Sequence, residues 1–288
     1  MADFDENRRE ELLTDLERSG QLFPGYKLHR IDGRPVLLGY GGFSTIYEMR
    51  ETNGSDRGAD CPVEAPGVDA DCPAETVGAD ESGRAYAVKV IGMERHVVSA
   101  ERFRDTCRLQ GKLAEQSPYV MRLLDSREVE TGDGFPLQLI LMEKLTPVLE
   151  KDKFRNTKLL KEELQEESGV LQFALQIGQA IQTAHRNRVL HRDIKLENIF
   201  WNEKDQVYQL GDFGIARFVE TGQAETVVYT DGYGAPEIER HLVDAYNATA
   251  DIYSFGITLY LLLNGLKFPG SDRYRANAVQ YDPEFVFP

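Results

Sequence analysis

"VLHRDIKLENIFW", residues 189–201, sets a His, an Arg, an Asp, a Lys, a Glu and an Asn between apolar ends. Charge this dense beside groups suited to burial belongs either to a salt-bridged loop or to a loop that performs chemistry. Asp193 offers a carboxylate able to orient a hydroxyl and accept its proton. Lys195, two residues on, can neutralise a phosphoryl group in transfer, and the amide oxygen of Asn198 can reach a metal ion. Just downstream, "QLGDFGIAR" (209–217) places Asp212 after a short apolar run, where a carboxylate can hold Mg2+ against nucleotide phosphates, with Phe213 as an apolar plug beside it.

Other segments fall into order around these two. "LLGYGGFSTIY" (37–47) carries Gly39, Gly41 and Gly42 between strand-like runs, so backbone N–H groups can close over phosphate oxygens without Cβ obstruction. "AYAVKV" (85–90) exposes one ammonium, Lys89, on an apolar strand, and "YTDGYGAPEIE" (229–239) brings Thr230 and Ala235-Pro236-Glu237. A glycine-rich hairpin turn, an edge-strand lysine or a salt-bridged loop explains any one of these alone. Their occurrence together, in this order and spacing, is what carries the inference.

The bulk properties agree. At 288 residues and 41% hydrophobic content the chain can bury a full core. Its formal charge of -15 is wrong for a phosphate-backbone binder, so nucleic acid is not expected as a partner. Three cysteines and an opening MADFDENRREE without an apolar stretch predict reduced thiols in a cytoplasmic protein. The run "IYSFGITLYLLL" (252–263) is too short to span a membrane and predicts a buried helix.

Along the chain, Leu12, Leu13 and Leu16 with Gly20 as a stop predict a helix over 6–19 within an N-terminal extension, residues 1–25. Residues 26–145 are mostly strand-like, with runs at 35–40, 43–49, 85–91 and 137–142 and a helix near 99–115. From 146 to 288 the pattern turns helical, with Phe173, Ala174, Ile177, Ile181 and Ala184 in a stripe behind Ser168 as a cap. Sheet first and helices second predict an α+β fold of two lobes. Residues 51–83, with nine acids, one base and the near-repeat ADCPVEAPGVD/ADCPAETVGAD, predict a disordered insertion. Cys61 and Cys72 find no His or further Cys nearby to complete a metal site.

The ordered motifs resemble the eukaryotic-type serine/threonine protein kinase family, over about residues 26–270. The resemblance implies a bilobal kinase-like fold with ATP and Mg2+ in the cleft. By it, Gly39, Gly41 and Gly42 cover the phosphates, with Ser44 where the third family glycine stands. Lys89 holds the α- and β-phosphates, Asp193 is the catalytic aspartate, Lys195 the phosphate-neutralising lysine, and Asn198 and Asp212 are the metal ligands. Thr230 bridges Asp193 and Lys195. Leu38, Ile46, Ala87 and Phe200 sandwich adenine, Met142 is the gatekeeper, and the backbones of Glu143 and Leu145 meet the base. Lys195 favours Ser or Thr of a protein substrate as acceptor. Asp251 is similar to the aspartate that ties down the catalytic loop, with Tyr253 in place of the usual Trp.

Two departures qualify this. The helix glutamate that pairs with the lysine is missing; Thr106 and Arg108 fall at its place by different alignments, and Asp105, with Leu109 one turn on, is the candidate carboxylate. After Asp251 only 37 residues remain, fewer than the family's later helices need, so the chain is either a fragment or relies on another subunit. A pseudokinase scaffold and a small-molecule phosphotransferase are the rival readings, the latter disfavoured by Thr230 and the Ala-Pro-Glu segment. Arg192 could grip a phosphate on Thr221, Thr226 or Tyr229.

Overall fold

The computed structural model describes residues 6–40, 44–52, 85–92, 99–134, 136–151, 157–213, 230, 232–239 and 248–268. Gly41, Gly42, nearly all of the acidic insertion with Cys61 and Cys72, and Thr221, Thr226 and Tyr229 lie outside them.

Strands β1 (Tyr26–Leu28), β4 (Leu37–Tyr40), β5 (Ser44–Glu51), β6 (Ala85–Ile91), β7 (Leu123–Glu130) and β8 (Pro136–Glu143) form an antiparallel sheet in the order β1-β5-β6-β8-β7, with β4 also on β5. A small hairpin of β2 (Arg30–Ile31) and β3 (Arg34–Pro35) stands beside it. The two central strands read as continuous apolar runs because both faces are covered. In β6, Tyr86, Val88 and Val90 point to one side and Ala87 and Ile91 to the other; in β8, Leu137, Leu139 and Leu141 oppose Ile140 and Met142.

Each side has its own helix. On the inner face lies α2 (Ala100–Gln116), capped by Ser99, whose side chain accepts from the N–H of Arg102. On the outer face lies α1 (Glu6–Arg18), whose partner the sequence leaves open. Leu13 and Leu16 are fully or nearly buried against Tyr47, Met49, Val88 and the β8 leucines. Gly20, at φ +68°, ends the helix in the left-handed conformation that favours glycine. Glu17 fixes the dock by accepting Leu28 N and the Arg30 guanidinium, each at 2.6 Å. Leu13→Ala is therefore expected to cost about 2–5 kcal/mol of stability in denaturant unfolding, whereas Leu171→Ala, at a 61% exposed site, is expected to change it by no more than about 0.5 kcal/mol.

The second half begins with β9 (Thr146–Pro147), β10 (Leu149–Lys151) and β11 (Thr157–Leu159). It continues through α3 (Glu167–Arg186), β12 (Ile199–Asn202), β13 (Val207–Leu210), α4 (Pro236–Glu239) and α5 (Ala248–Leu263). Its core joins Phe173, Ile177, Ile181 and Ala184 of α3 to Ile257 and Leu261 of α5 and to Ile199, Trp201 and Tyr208 of the β12–β13 ribbon. The expected Ser168 cap is corrected: α3 starts at Glu167 behind Glu166, which makes no side-chain cap bond, so Ser168 lies inside the first turn. Among the described residues no helix is long and apolar enough to cross a membrane.

Candidate active site

The chain leaves α3, crosses residues 187–198 without regular strand, and re-enters the ribbon at Ile199. Asp251 of α5, 1% exposed, supports this crossing from below. Its carboxylate accepts the N–H groups of His191 and Arg192 at 2.9 and 2.8 Å, and His185 Nε2 lies 2.8 Å from it. Burial alone would raise the Asp251 carboxyl, but the His185 bond and the two backbone donors hold it below its ordinary value. Arg192 takes φ +67° at this point, a strained turn that the paired N–H groups keep in place.

His191 is wholly buried. Its Nε2 meets the carbonyl of Gly211 at 2.8 Å and its ring packs edge-on to Phe213, 4.7 Å between centroids. Burial pushes its imidazole below the usual value, so the ring is neutral near pH 7. Phe213 is thus anchored to the loop that carries Asp193.

Asp193 stands at the centre of a compact group. Thr230 donates its hydroxyl to Asp193 Oδ1 at 2.8 Å, Lys195 Nζ lies 3.0 Å from Oδ2 and donates to Thr230 Oγ1 at 3.0 Å. Asn198 donates its amide to the Asp193 carbonyl at 2.7 Å and to Oδ2 at 3.2 Å. That commits the amide nitrogen and leaves the oxygen of Asn198 as the end available to a cation.

Across the cleft, Lys89 Nζ donates to Asp212 Oδ1 at 2.7 Å. Burial works to raise the Asp212 carboxyl, but the Lys89 charge and hydrogen bond hold it below its ordinary value. Lys89 is itself 6% exposed, so each group is the other's counter-ion in a poorly solvated site. Asp212 adopts φ +59°, which re-aims its carboxylate as the chain leaves β13.

Ile46, Ala87, Met142, Leu145 and Phe200 gather into one apolar cluster with Phe103, Cys107 and Ile140. Leu38, 38% exposed, stays outside it. Gly39 pairs with Ile46, and Glu143 pairs with Tyr86 where β8 ends.

Asp105 is corrected. The inward stripe of α2 runs Phe103, Cys107, Gln110, Leu113, which places Asp105 about 200° round the helix from Phe103, on the solvent side. There it pairs with Arg108 at 3.1 Å, and Glu101 and Glu115 are exposed as well. The side chains that α2 presents to the Lys89 face of the sheet are Phe103 and Cys107, the latter with a thiol that burial pushes up.

The residue absent from the sequence reading is His185. It follows Ile177 and Ile181 at helical spacing, so the α3 stripe already placed it on the buried face.

Oxygen donors from Asn198 and Asp212 suit a hard cation such as Mg2+. Among the described residues no group of three or more His, Cys, Asp or Glu could hold a metal, so such an ion would complete its shell with substrate oxygens and water.

Comparison with known proteins agrees with this geometry. Residues 75–283 match the family model described as "Protein kinase domain". The match begins inside the acidic insertion, so β1, β4 and β5 precede it although they share a sheet with β6. The chain is 48% identical over 83 residues (28% of the chain) to Sporulation-specific protein 1 of Saccharomyces cerevisiae, covering 17% of that protein. It is 34% identical over 185 residues (63% of the chain) to Serine/threonine-protein kinase Nek1 of Mus musculus, covering 14% of it. It is also 28% identical over 187 residues (64% of the chain) to the Cell cycle serine/threonine-protein kinase CDC5/MSD2 of S. cerevisiae, covering 25% of it. The matched stretches thus span a quarter or less of these relatives. A family match over more than half of the sequence, laid on a two-lobed fold with Lys89 and Asp212 facing Asp193 and Asn198, makes this chain a member of the protein kinase domain family.

Proposed function

We propose that the chain is a Mg-ATP-dependent protein kinase that transfers the γ-phosphate of ATP to Ser or Thr hydroxyls of protein substrates. The observation that carries the reading is the group Asp193–Thr230–Lys195–Asn198, closed by direct hydrogen bonds, opposite Lys89–Asp212. Lys89 holds the α- and β-phosphates, and the cluster around Ala87, Met142 and Phe200 receives the base with backbone contacts from Glu143 and Leu145. Asp193 orients the acceptor hydroxyl and takes its proton as oxygen attacks the γ-phosphorus and the bond to the β-phosphate oxygen breaks. Lys195 offsets charge on the transferring group, and Thr230 holds both side chains in register. Asn198 and Asp212 would hold Mg2+, which supplies charge neutralisation at the phosphates. Sparse cysteines, with Cys107 unpaired and buried, support a cytoplasmic setting.

One observation favours a second reading, nucleotide binding without turnover. The three carboxylates of α2 face solvent, so α2 offers Lys89 none. The intact Asp193 group speaks against it, and a transfer assay separates the two. With γ-labelled ATP and a mixed protein substrate, label is expected on phosphoserine and phosphothreonine, and Asp212→Asn is expected to abolish it. A protein that binds ATP but transfers no label would sink the kinase reading.

A further inference from the structure

Between β8, which ends at Glu143, and β9, which starts at Thr146, the chain crosses from the first lobe to the second in two residues, Lys144 and Leu145. Strand β9 pairs with β12, which sets Pro147 opposite Phe200 and Thr146 opposite Trp201. On the other side, Lys144 N donates to the Ala85 carbonyl at 3.2 Å. Backbone bonds thus hold both ends of the linker, and the Lys144 side chain adds a third hold: its Nζ donates to Glu48 Oε2 at 2.5 Å.

Glu48 lies in β5 opposite Ala87 and two residues past Ile46, so it continues the face that carries the base cluster. A carboxylate only 3% exposed is costly in such a place unless a fixed charge answers it. Arg50 and His29 approach its other oxygen, Oε1, to 2.7 and 2.9 Å, yet among the described residues Oε1 has no aligned hydrogen-bond donor. Lys144 is the cation that meets the carboxylate in hydrogen-bond alignment. Burial works to raise the Glu48 carboxyl, and the Lys144 hydrogen bond and charge, followed by Arg50 and His29, hold it below its ordinary value. The phosphotransfer steps above make no use of this pair.

We propose that Glu48 is a positioning residue for the nucleotide base: acting through Lys144, its buried carboxylate holds the main chain of Glu143–Leu145 where the base docks. This rests on the ATP reading above. The ligand affected is the adenine end of the nucleotide, not its phosphates.

The test measures dissociation constants of Mg-ATP and of adenosine by calorimetry on the full chain. Lys144→Met is expected to weaken both by a common factor of about fivefold or more, and Glu48→Gln by a similar factor. The double variant is expected to stay within about twofold of the worse single one, because both changes remove the same hold. Arg50→Met takes a cation from the same carboxylate but lies in β5, outside the linker, and is expected to leave both constants within about twofold. Should Glu48→Gln fail to fold, Lys144→Met, at a side chain 37% exposed, still decides the matter. Unchanged ATP affinity in Lys144→Met, a loss confined to ATP, or an equal loss in Arg50→Met overturns the proposal. An unaltered protein that binds no ATP at all would instead overturn the kinase reading.

Discussion

Asp193→Asn is expected to slow phosphotransfer by roughly a hundred- to ten-thousand-fold while leaving ATP affinity within about threefold. The amide matches the carboxylate in shape, so Thr230 can still donate to the remaining oxygen 2.8 Å away and the loop keeps its path. What disappears is the group proposed to take the acceptor proton, along with the charge that holds Lys195 at 3.0 Å. Single-turnover rates with labelled ATP, measured beside nucleotide titrations, check both halves. A rate within tenfold of the unaltered protein would remove Asp193 from the chemistry.

Asp251→Ala is expected to cost about 3–5 kcal/mol of stability, because it strips three partners from a buried carboxylate at once. The N–H groups of His191 and Arg192 would be left without acceptors, at a residue whose φ of +67° depends on them. The pH profile gives an independent sign. The Asp251 carboxyl is held below its ordinary value, so its contribution is fully present above about pH 4, the unfolded value, and fades as pH falls through the lower folded value. Denaturant unfolding across pH 2–7 should show the full cost near neutrality and a shallower acid limb in the variant. An equal loss at every pH would mean that packing, not the charge, supports the loop.

How far these features could be read in advance depended on whether their cause was local. The Asp193–Asn198 turn was legible as a unit because the three side-chain types proposed for phosphotransfer fall within six residues and the structure brings them together, and Asp212 because it closes a short apolar run. The boundaries of β6 and α2 were legible from apolar runs and helical spacing. Asp105 lies on the outer side because its spacing to Leu109 does not by itself fix which face of α2 turns inward. The stripe through Phe103, Cys107 and Gln110 is equally regular, and only the sheet beneath decides which face turns inward. Strand β7 carries Asp125, Ser126, Arg127 and Glu128 at an edge, where little burial is imposed, so its sequence has no strand signature.

The helix α1 also sets an order of assembly. It is made before the sheet it docks on, and part of the cover of Leu13 and Leu16, that from Leu137, Leu139 and Leu141, comes roughly 120 residues later in the chain. Until β8 emerges, those leucines have only part of their native surface, that of Tyr47, Met49 and Val88, to bury against. At synthesis rates of about 5–20 residues per second that leaves the leucine stripe of α1 incompletely covered for several seconds or more. The closing of this first lobe is thus a long-range event, limited by loop closure rather than by helix formation, and the acidic insertion lengthens the chain it must close.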